Sequence, residues 1–324
     1  MVPRIDQIEM FLKSNQMEVK NLISIKNDAS FRQYFRIDNK ILMDANPDLG
    51  EDVNAFININ NLLQDFQLNV PKIYSTDKEN GFLLLEDLGE NIFSRILDNK
   101  NEEELYKKAI EVLAEVYKKN LDEFSQTSLL ENYSIEKLLE ESQLFIEWYL
   151  KKFLNLDILQ ADINDFNAII SKIFHSLDPK LDKLVLRDYH VDNLIYQNSK
   201  LGLKKVGILD FQDAVIGQSS YDLASILEDV RRPIKENLKN NLIDYFLNLT
   251  GYNLTQLKKE LTFYSVQRNL KILGIFCRLS IRDNKPNYMA YNDNAWKNIK
   301  SNLSHPMMAD LKDWLKKILP NEKY

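Results

Sequence analysis

The chain has 324 residues, enough for two domains or for one domain built as two lobes. Hydrophobic residues make up 44% and charged residues 28%, the balance of an ordinary globular protein, and no apolar run approaches the roughly 20 residues of a membrane-spanning helix. A formal net charge of −6 disfavours general nucleic-acid binding, which calls for a basic surface to neutralise phosphates. Ile5, Ile8, Phe11 and Leu12 recur at helical spacing and predict a short amphipathic helix at the start. Strand-like runs follow at 22–26, 31–37 and 40–45, separated by short polar pieces as in antiparallel hairpins. Val53, Phe56, Ile57 and Leu63 mark a helix, and two further strands are expected at 72–74 and 82–86. From Asp87 onward helical periodicities dominate, at about 102–119, 134–152, 159–176, 221–229, 234–248 and 255–280. They are interrupted around 184–212 by two short apolar runs, LIY and VGILDF, that read as a β-hairpin. The predicted architecture is therefore α+β and two-lobed, with a β-rich N-lobe over 1–88 carrying a five-stranded antiparallel sheet and an α-rich C-lobe over 89–324.

The opening MVPRIDQIEMFLKSNQ lacks the basic flank, apolar run and cleavage site of a signal peptide, so a cytoplasmic location is expected. Cys277, the single cysteine, lies in the apolar run LGIFCRLS and is expected to be a small buried hydrophobe. His175, His190 and His305 show no metal-ligand spacing.

Chemistry concentrates in LVLRDYHVDNLIY (184–196) and VGILDFQDA (206–214). Asp188 is followed five residues later by Asn193, and Asp210 closes the next strand. Phosphoryl transfer needs these parts: a carboxylate to accept or orient the attacking hydroxyl proton, and a neutral oxygen plus a second carboxylate to hold Mg²⁺ against nucleotide phosphates. Each piece alone is an ordinary turn or cap. Their conjunction downstream of a β-rich lobe resembles a protein-kinase catalytic loop with its metal-binding Asp. In IKNDASFRQYFRI (25–37), the small residues Asp28, Ala29 and Ser30 can bring backbone N–H groups close to phosphate, although the loop has no glycine. If 31–37 is a strand, Arg32, Tyr34 and Arg36 share one face, which either meets polyphosphate or is solvated. FLLLEDLGEN (82–91) is either a kinase hinge that pairs with adenine or a plain strand-to-helix loop.

The order of these segments resembles the aminoglycoside phosphotransferase/choline kinase superfamily, and within it the bacterial anomeric kinases of N-acetylmuramate and N-acetylglucosamine in cell-wall recycling. The similarity runs through DASFRQYFRI (28–37), ILMDANP (41–47), GFLLLEDLG (81–89), ESQLFIEWYL (141–150), RDYHVDNLI (187–195), ILDFQDAVIG (208–217), YDLASILEDVRR (221–232) and QRNLKILGIFCRLSIRDNKPNY (267–288), nearly the entire chain. It implies an ATP-dependent, Mg²⁺-requiring transferase that phosphorylates a small acceptor, an amino sugar first, with an aminoglycoside, choline or another small alcohol as the alternative. A silent nucleotide-binding module is the reading from a different class. No nucleic acid, membrane or obligate protein partner is implied.

Carried onto this chain, the resemblance makes Asp188 the catalytic base and Asn193 and Asp210 the Mg²⁺ ligands. Ser30, Phe31 and Arg32 would cover the nucleotide, with Arg36 a further source of positive charge. Glu86 and Leu88 would hold adenine through their backbones, and Asp222 would brace the catalytic loop. Arg282, Asp283 and Lys285 are either contacts to the acceptor or a polar loop between helices. Two departures stand out: Leu186 replaces the His that usually opens the catalytic loop, and Met43 replaces the phosphate-pairing Lys of strand three. Arg32 and Arg36 are the expected replacements for that missing charge.

Overall fold

Pro3 starts helix α1 (Arg4–Ser14), whose Ile8, Phe11 and Leu12 lie on one face and are buried. The strands that follow are β1 (Ile23–Ile25), β2 (Gln33–Ile37) and β3 (Lys40–Asp44). Asp52 then caps helix α2 (Val53–Asp65) by accepting from Asn54 N–H, and β4 (Ile73–Asp77) and β5 (Phe82–Glu86) complete a sheet of order β1-β2-β3-β5-β4. All four pairings are antiparallel. This is a computed structural model, and it describes residues 3–25 and 31–320. By internal contacts the chain divides into two compact units, Met1–Leu97 with Asp192–Asp213, and Asp98–Val191 with Ala214–Tyr324.

In the first unit the central strands carry the core. Leu42, Phe82 and Leu84 cluster with Ile8, Phe11 and Leu12, the Phe11 and Phe82 rings stacking at 5.4 Å. Met43, Leu83 and Leu85 alternate to the opposite face of the sheet and are equally buried. Each such fully buried side chain contributes about 1.5–3 kcal/mol relative to exposure. A short helix α3 (Phe93–Ile96) follows β5.

The second unit begins with α4 (Glu102–Lys118), whose first turn carries Glu102, Glu103 and Glu104 against the positive end of the helix dipole. Helix α5 (Ile135–Leu144) passes directly into a π-helix over Phe145–Phe153, where one α-helix was predicted across 134–152. Helix α6 (Gln160–Ser176) and strand β6 (Lys183–Val185) lead back to the first unit, where β7 (Leu194–Tyr196) and β8 (Val206–Ile208) form the expected hairpin. Asn69 ties this hairpin to its unit: its carbonyl accepts from Ile208 N–H, and its amide donates to Gln197 Oε1 and to the Lys204 carbonyl.

Strand β9 (Val215–Gly217), which has no counterpart in the sequence reading, returns the chain to the second unit and pairs with β6. Helices α7 (Ser220–Leu227), α8 (Glu236–Thr250) and α9 (Leu254–Ile281) follow as anticipated. Gly251 in the left-handed region ends α8, and Asn253 caps α9. Two further helices, α10 (Asn292–Asn302) and α11 (Ala309–Ile318), were not anticipated. Their Trp296, Ile299, Leu311, Trp314 and Leu315 are part of the same large core as α9, and Trp296 Nε1 donates to Tyr149 Oη at 2.7 Å. No described helix is long and apolar enough to cross a membrane.

Candidate active site

In the second unit, β6 ends at Val185 and the next five residues make a tight loop. Asp222, in the first turn of α7 and 1% exposed, accepts Leu186 N–H at 2.6 Å and Arg187 N–H at 2.9 Å. Burial pushes its carboxyl up to about 7, against the opposing pull of those two amides and of Arg268. The expected brace is thus visible in the geometry. It grips backbone, which explains why a leucine can stand at 186: the side chain there only fills the core.

Arg187 has a left-handed backbone, φ 68°, a conformation that costs a non-glycine residue about 1–2 kcal/mol. Its side chain pays that back by pairing with Glu141 of α5. Glu141 also takes the Tyr133 hydroxyl and, at 2.9 Å, Lys271 of α9. Burial alone would raise the Glu141 carboxyl, but Lys271 and Arg187 outweigh it and hold the group below its ordinary range. Tyr189 donates to the Ala109 carbonyl, and Val191 N–H donates to Asp229. Burial holds the His190 imidazole down to about 3, so it stays neutral and takes no part in proton transfer near pH 7. With Leu186, Tyr189 and His190 all buried, the loop presents Asp188, half-buried, as its acidic group.

In the first unit, the register Leu194↔Ile208 puts Asn193 and Asp210 at one end of the β7–β8 hairpin, and Leu209 N–H donates to the Asn193 carbonyl at 2.9 Å. Asp210 is left-handed, φ 55°, and its side chain is 43% exposed. Phe211 beside it is buried and packs on Phe56 of α2, the ring centroids 4.8 Å apart. Gln212 Nε2 donates to Asp210 Oδ1 and to Asp213 Oδ2, both at 3.0 Å, while Gln212 Oε1 is buried without a partner. An amide oxygen, a carboxylate and an orphaned amide oxygen form a donor set that suits a hard cation such as Mg²⁺. Among the described residues no group of three His, Cys, Asp or Glu side chains is assembled for a metal, so a cation here would draw its remaining oxygens from a ligand.

Arg32 stands just before β2, which starts at Gln33 and not at 31. Its guanidinium lies 3.5 Å from Glu51 and 3.7 Å from Asp210. Burial opposes its charge, but Tyr34, Asp210 and Glu51 together more than compensate. Met43, at the position of the missing lysine, is fully buried opposite Tyr34 and Leu83. Arg36 is engaged elsewhere: its Nε reaches Asp87 at 2.6 Å, and it also pairs with Glu90. Glu86 N–H donates to the Lys72 carbonyl and the Leu88 carbonyl accepts from Gln197, which fixes the backbone after β5. Phe31 is 62% exposed, and Ser30 lies outside the described residues. Arg282 and Asp283 form a bidentate pair with each other, and Lys285 N–H donates to the Leu279 carbonyl at the end of α9. Glu51, Glu141, Lys271 and Gln212 went unnoticed in the sequence. Only Gln212, two residues from Asp210, had a local signal.

Residues 21–257 match the phosphotransferase enzyme family. The N-acetylmuramate/N-acetylglucosamine kinase of Pseudomonas aeruginosa is 31% identical over 294 residues, 87% of this chain and 84% of that one. Its counterpart from Pseudomonas putida is 32% identical over 281 residues, 83% of this chain and 79% of the other. Among solved structures, choline kinase from Streptococcus pneumoniae superposes with a TM-score of 0.65 at 14% identity, covering 92% of this chain and 100% of its own. An aminoglycoside phosphotransferase with ADP bound gives 0.64 at 14% identity, over 90% and 97% of the two chains. At such identities the likeness shows the fold, the two-lobed protein-kinase-like α+β architecture expected from the sequence.

Proposed function

The chain belongs to the phosphotransferase enzyme family, acting on a sugar or alcohol hydroxyl, and from that premise we propose that it is an ATP-dependent anomeric kinase. Its product would be the 1-phosphate of N-acetylmuramate or N-acetylglucosamine, made in the cytoplasm during cell-wall recycling. The observation that carries the acceptor is similarity, over more than four-fifths of the chain, to kinases so named.

In this reading Asp188 is the base, and the nucleotide and cation groups are those of the first unit, Arg32, Asn193 and Asp210. Asp188 takes or orients the proton of the acceptor hydroxyl, held in place because its neighbours on both sides are buried or paired. Mg²⁺, when bound, would be held by Asn193 and Asp210 and would neutralise charge on the nucleotide phosphates. Arg32 replaces the strand-three lysine, with Glu51 as its carboxylate partner, in the manner of a kinase Lys–Glu pair. Phe31, exposed just before β2, covers the nucleotide. The bonds already made by Glu86 N–H and the Leu88 carbonyl leave adenine to the Glu86 carbonyl and Leu88 N–H. Arg36, committed to Asp87 and Glu90, orders the connector after β5 and contributes to the nucleotide site indirectly.

The test is ADP release from MgATP with N-acetylmuramate, N-acetylglucosamine, kanamycin and choline offered separately. Turnover with the amino sugars alone is expected. Turnover confined to kanamycin or choline would overturn the assignment of the acceptor.

A further inference from the structure

The backbone around Asp188 is folded more tightly than an ordinary loop. Asp188 N–H donates to the Leu186 carbonyl at 2.9 Å, and His190 N–H donates to the Asp188 carbonyl at 3.1 Å. Each bond spans two residues, so Asp188 joins two successive γ-turns and has both its backbone groups engaged. Arg187 is the central residue of the first, and with φ 68° that turn is of the rare, strained hand. A side chain opposes this conformation, whereas glycine adopts positive φ as readily as negative. Residue 187 therefore has to be held there from outside the loop, because the direction in which Asp188 leaves the chain follows from it.

Asp222 grips the loop by the Leu186 and Arg187 amides, which fixes where the turn starts. The Arg187 side chain is held separately. Its guanidinium pairs with Glu141 and stands 5.5 Å from the centroid of the Tyr133 ring, and the Tyr133 hydroxyl donates to the same carboxylate. Glu141 lies in the middle of the contact between α5 and α9. Gln267 Nε2 donates to the Leu138 carbonyl at 3.2 Å, Lys271 reaches Glu141 at 2.9 Å, and Gly274 meets the Leu144 backbone too closely for any Cβ. Residues 138, 141 and 144 thus face 267, 271 and 274 in the same order, about one turn apart, so the two helices run in the same direction through the contact. Glu141 is 9% exposed and mounted on packed helix, and the loop it grips does not set its position.

We infer that Glu141 is a positioning residue for phosphoryl transfer: through Arg187 it holds the strained turn that aims the Asp188 carboxylate. The inference rests on Asp188 as the base and adds to that reading the part that sets its direction. It makes the conformation of residue 187, and not its charge, the quantity that matters, and glycine separates the two. Arg187→Ala removes the charge and keeps the strain. Arg187→Gly removes both, and with them the need for a hold on the turn. In either variant Glu141 retains Lys271 and Tyr133, so no buried carboxylate is left unpaired.

The experiment measures kcat and the KM for MgATP, with N-acetylmuramate and N-acetylglucosamine as acceptors. Arg187→Ala and Glu141→Gln should each lower kcat by about 5–30-fold with the KM for ATP little changed. That fold-change corresponds to about 1–2 kcal/mol of left-handed strain at about 1.36 kcal/mol per factor of ten. Arg187→Gly should recover most of the loss. A glycine variant as slow as Arg187→Ala overturns the proposal, as does wild-type kcat in Arg187→Ala or in Glu141→Gln. If Arg187→Ala fails to fold, Arg187→Gly decides against wild type, and a kcat lower by more than about 30-fold overturns the proposal. A glycine variant that itself fails to fold also overturns it, because the side chain would then hold more than the turn. Asp188→Asn beside them tells the failures apart: if it keeps its rate the assignment of the base falls, and if it alone slows only the proposal does. A wild type that turns over neither sugar overturns the reading on which the proposal rests.

Discussion

The neighbours of Asp188 in the loop are buried or paired, so its replacement tests chemistry with little confusion from folding. Asp188→Asn is nearly isosteric and should leave ATP affinity near normal while slowing transfer by about 10²–10⁴-fold, the range for a positioned general base. Single-turnover rates beside ATP titrations decide it, and a variant that keeps most of its rate would remove Asp188 from proton transfer. Asp222 gives a pH signature. Its folded carboxyl is raised from 3.8 to about 7, so the stability linked to this group is fully present below about pH 4 and lost as pH rises through 7. Denaturation of wild type and Asp222→Asn at pH 5 and pH 8 should therefore find the advantage of wild type larger at pH 5. An equal advantage at the two pH values would mean that the amides of Leu186 and Arg187 keep the carboxylate ionised throughout. For Arg32, either Arg32→Ala or Glu51→Ala should raise the KM for ATP far more than that for the acceptor, because each breaks the pair standing in for lysine. Met43→Lys should restore at most part of the loss, since residue 43 points into a packed core. Unaltered ATP affinity in both alanine variants would leave the missing charge unexplained by this pair.

At the scale of elements, what could be read in advance was whatever is local. FLLLE at 82–86 is a continuous apolar run, and β5 has those bounds. The spacing from Asp188 to Asn193 and the strand before Asp210 placed the loop and the hairpin, because the residues concerned are close in sequence. Glu141, Lys271 and Arg268 escaped because helices far apart in the chain bring them to the catalytic loop, and periodicity describes a helix face without saying what it meets. The π-helix escaped for a similar reason. A Cβ on Gly274 of α9 would stand 2.2 Å from the carbonyl carbon of Leu144, so α9 crosses the end of α5 with backbone nearly touching backbone, just where the π-turns begin. Gly274→Ala should cost about 1–3 kcal/mol as an overpacked core substitution, measured by urea denaturation with unchanged m-value. Wild-type stability would show that the crossing is looser than the structure has it.

Across the whole molecule, sequence and structure agree on a five-stranded sheet followed by a helical majority, and both lead to the same superfamily. Helices α10 and α11 were the largest omission: they are short and polar on their outer faces, yet Trp296 and Ile299 in the first and Leu311, Trp314 and Leu315 in the second recur at helical spacing, a local signal that the sequence carried and the reading passed over. They close the core around α9 and so support the helix that brings Lys271 to Glu141. The central claim is transfer to an anomeric hydroxyl, and the position of the new phosphate tests it most directly. Phosphorus and proton NMR of the product from MgATP and N-acetylglucosamine should show phosphorus coupled to the anomeric proton, with no such product from Asp188→Asn in the same time. Coupling to the C6 protons instead, or ADP formed without any sugar phosphate, would contradict the account.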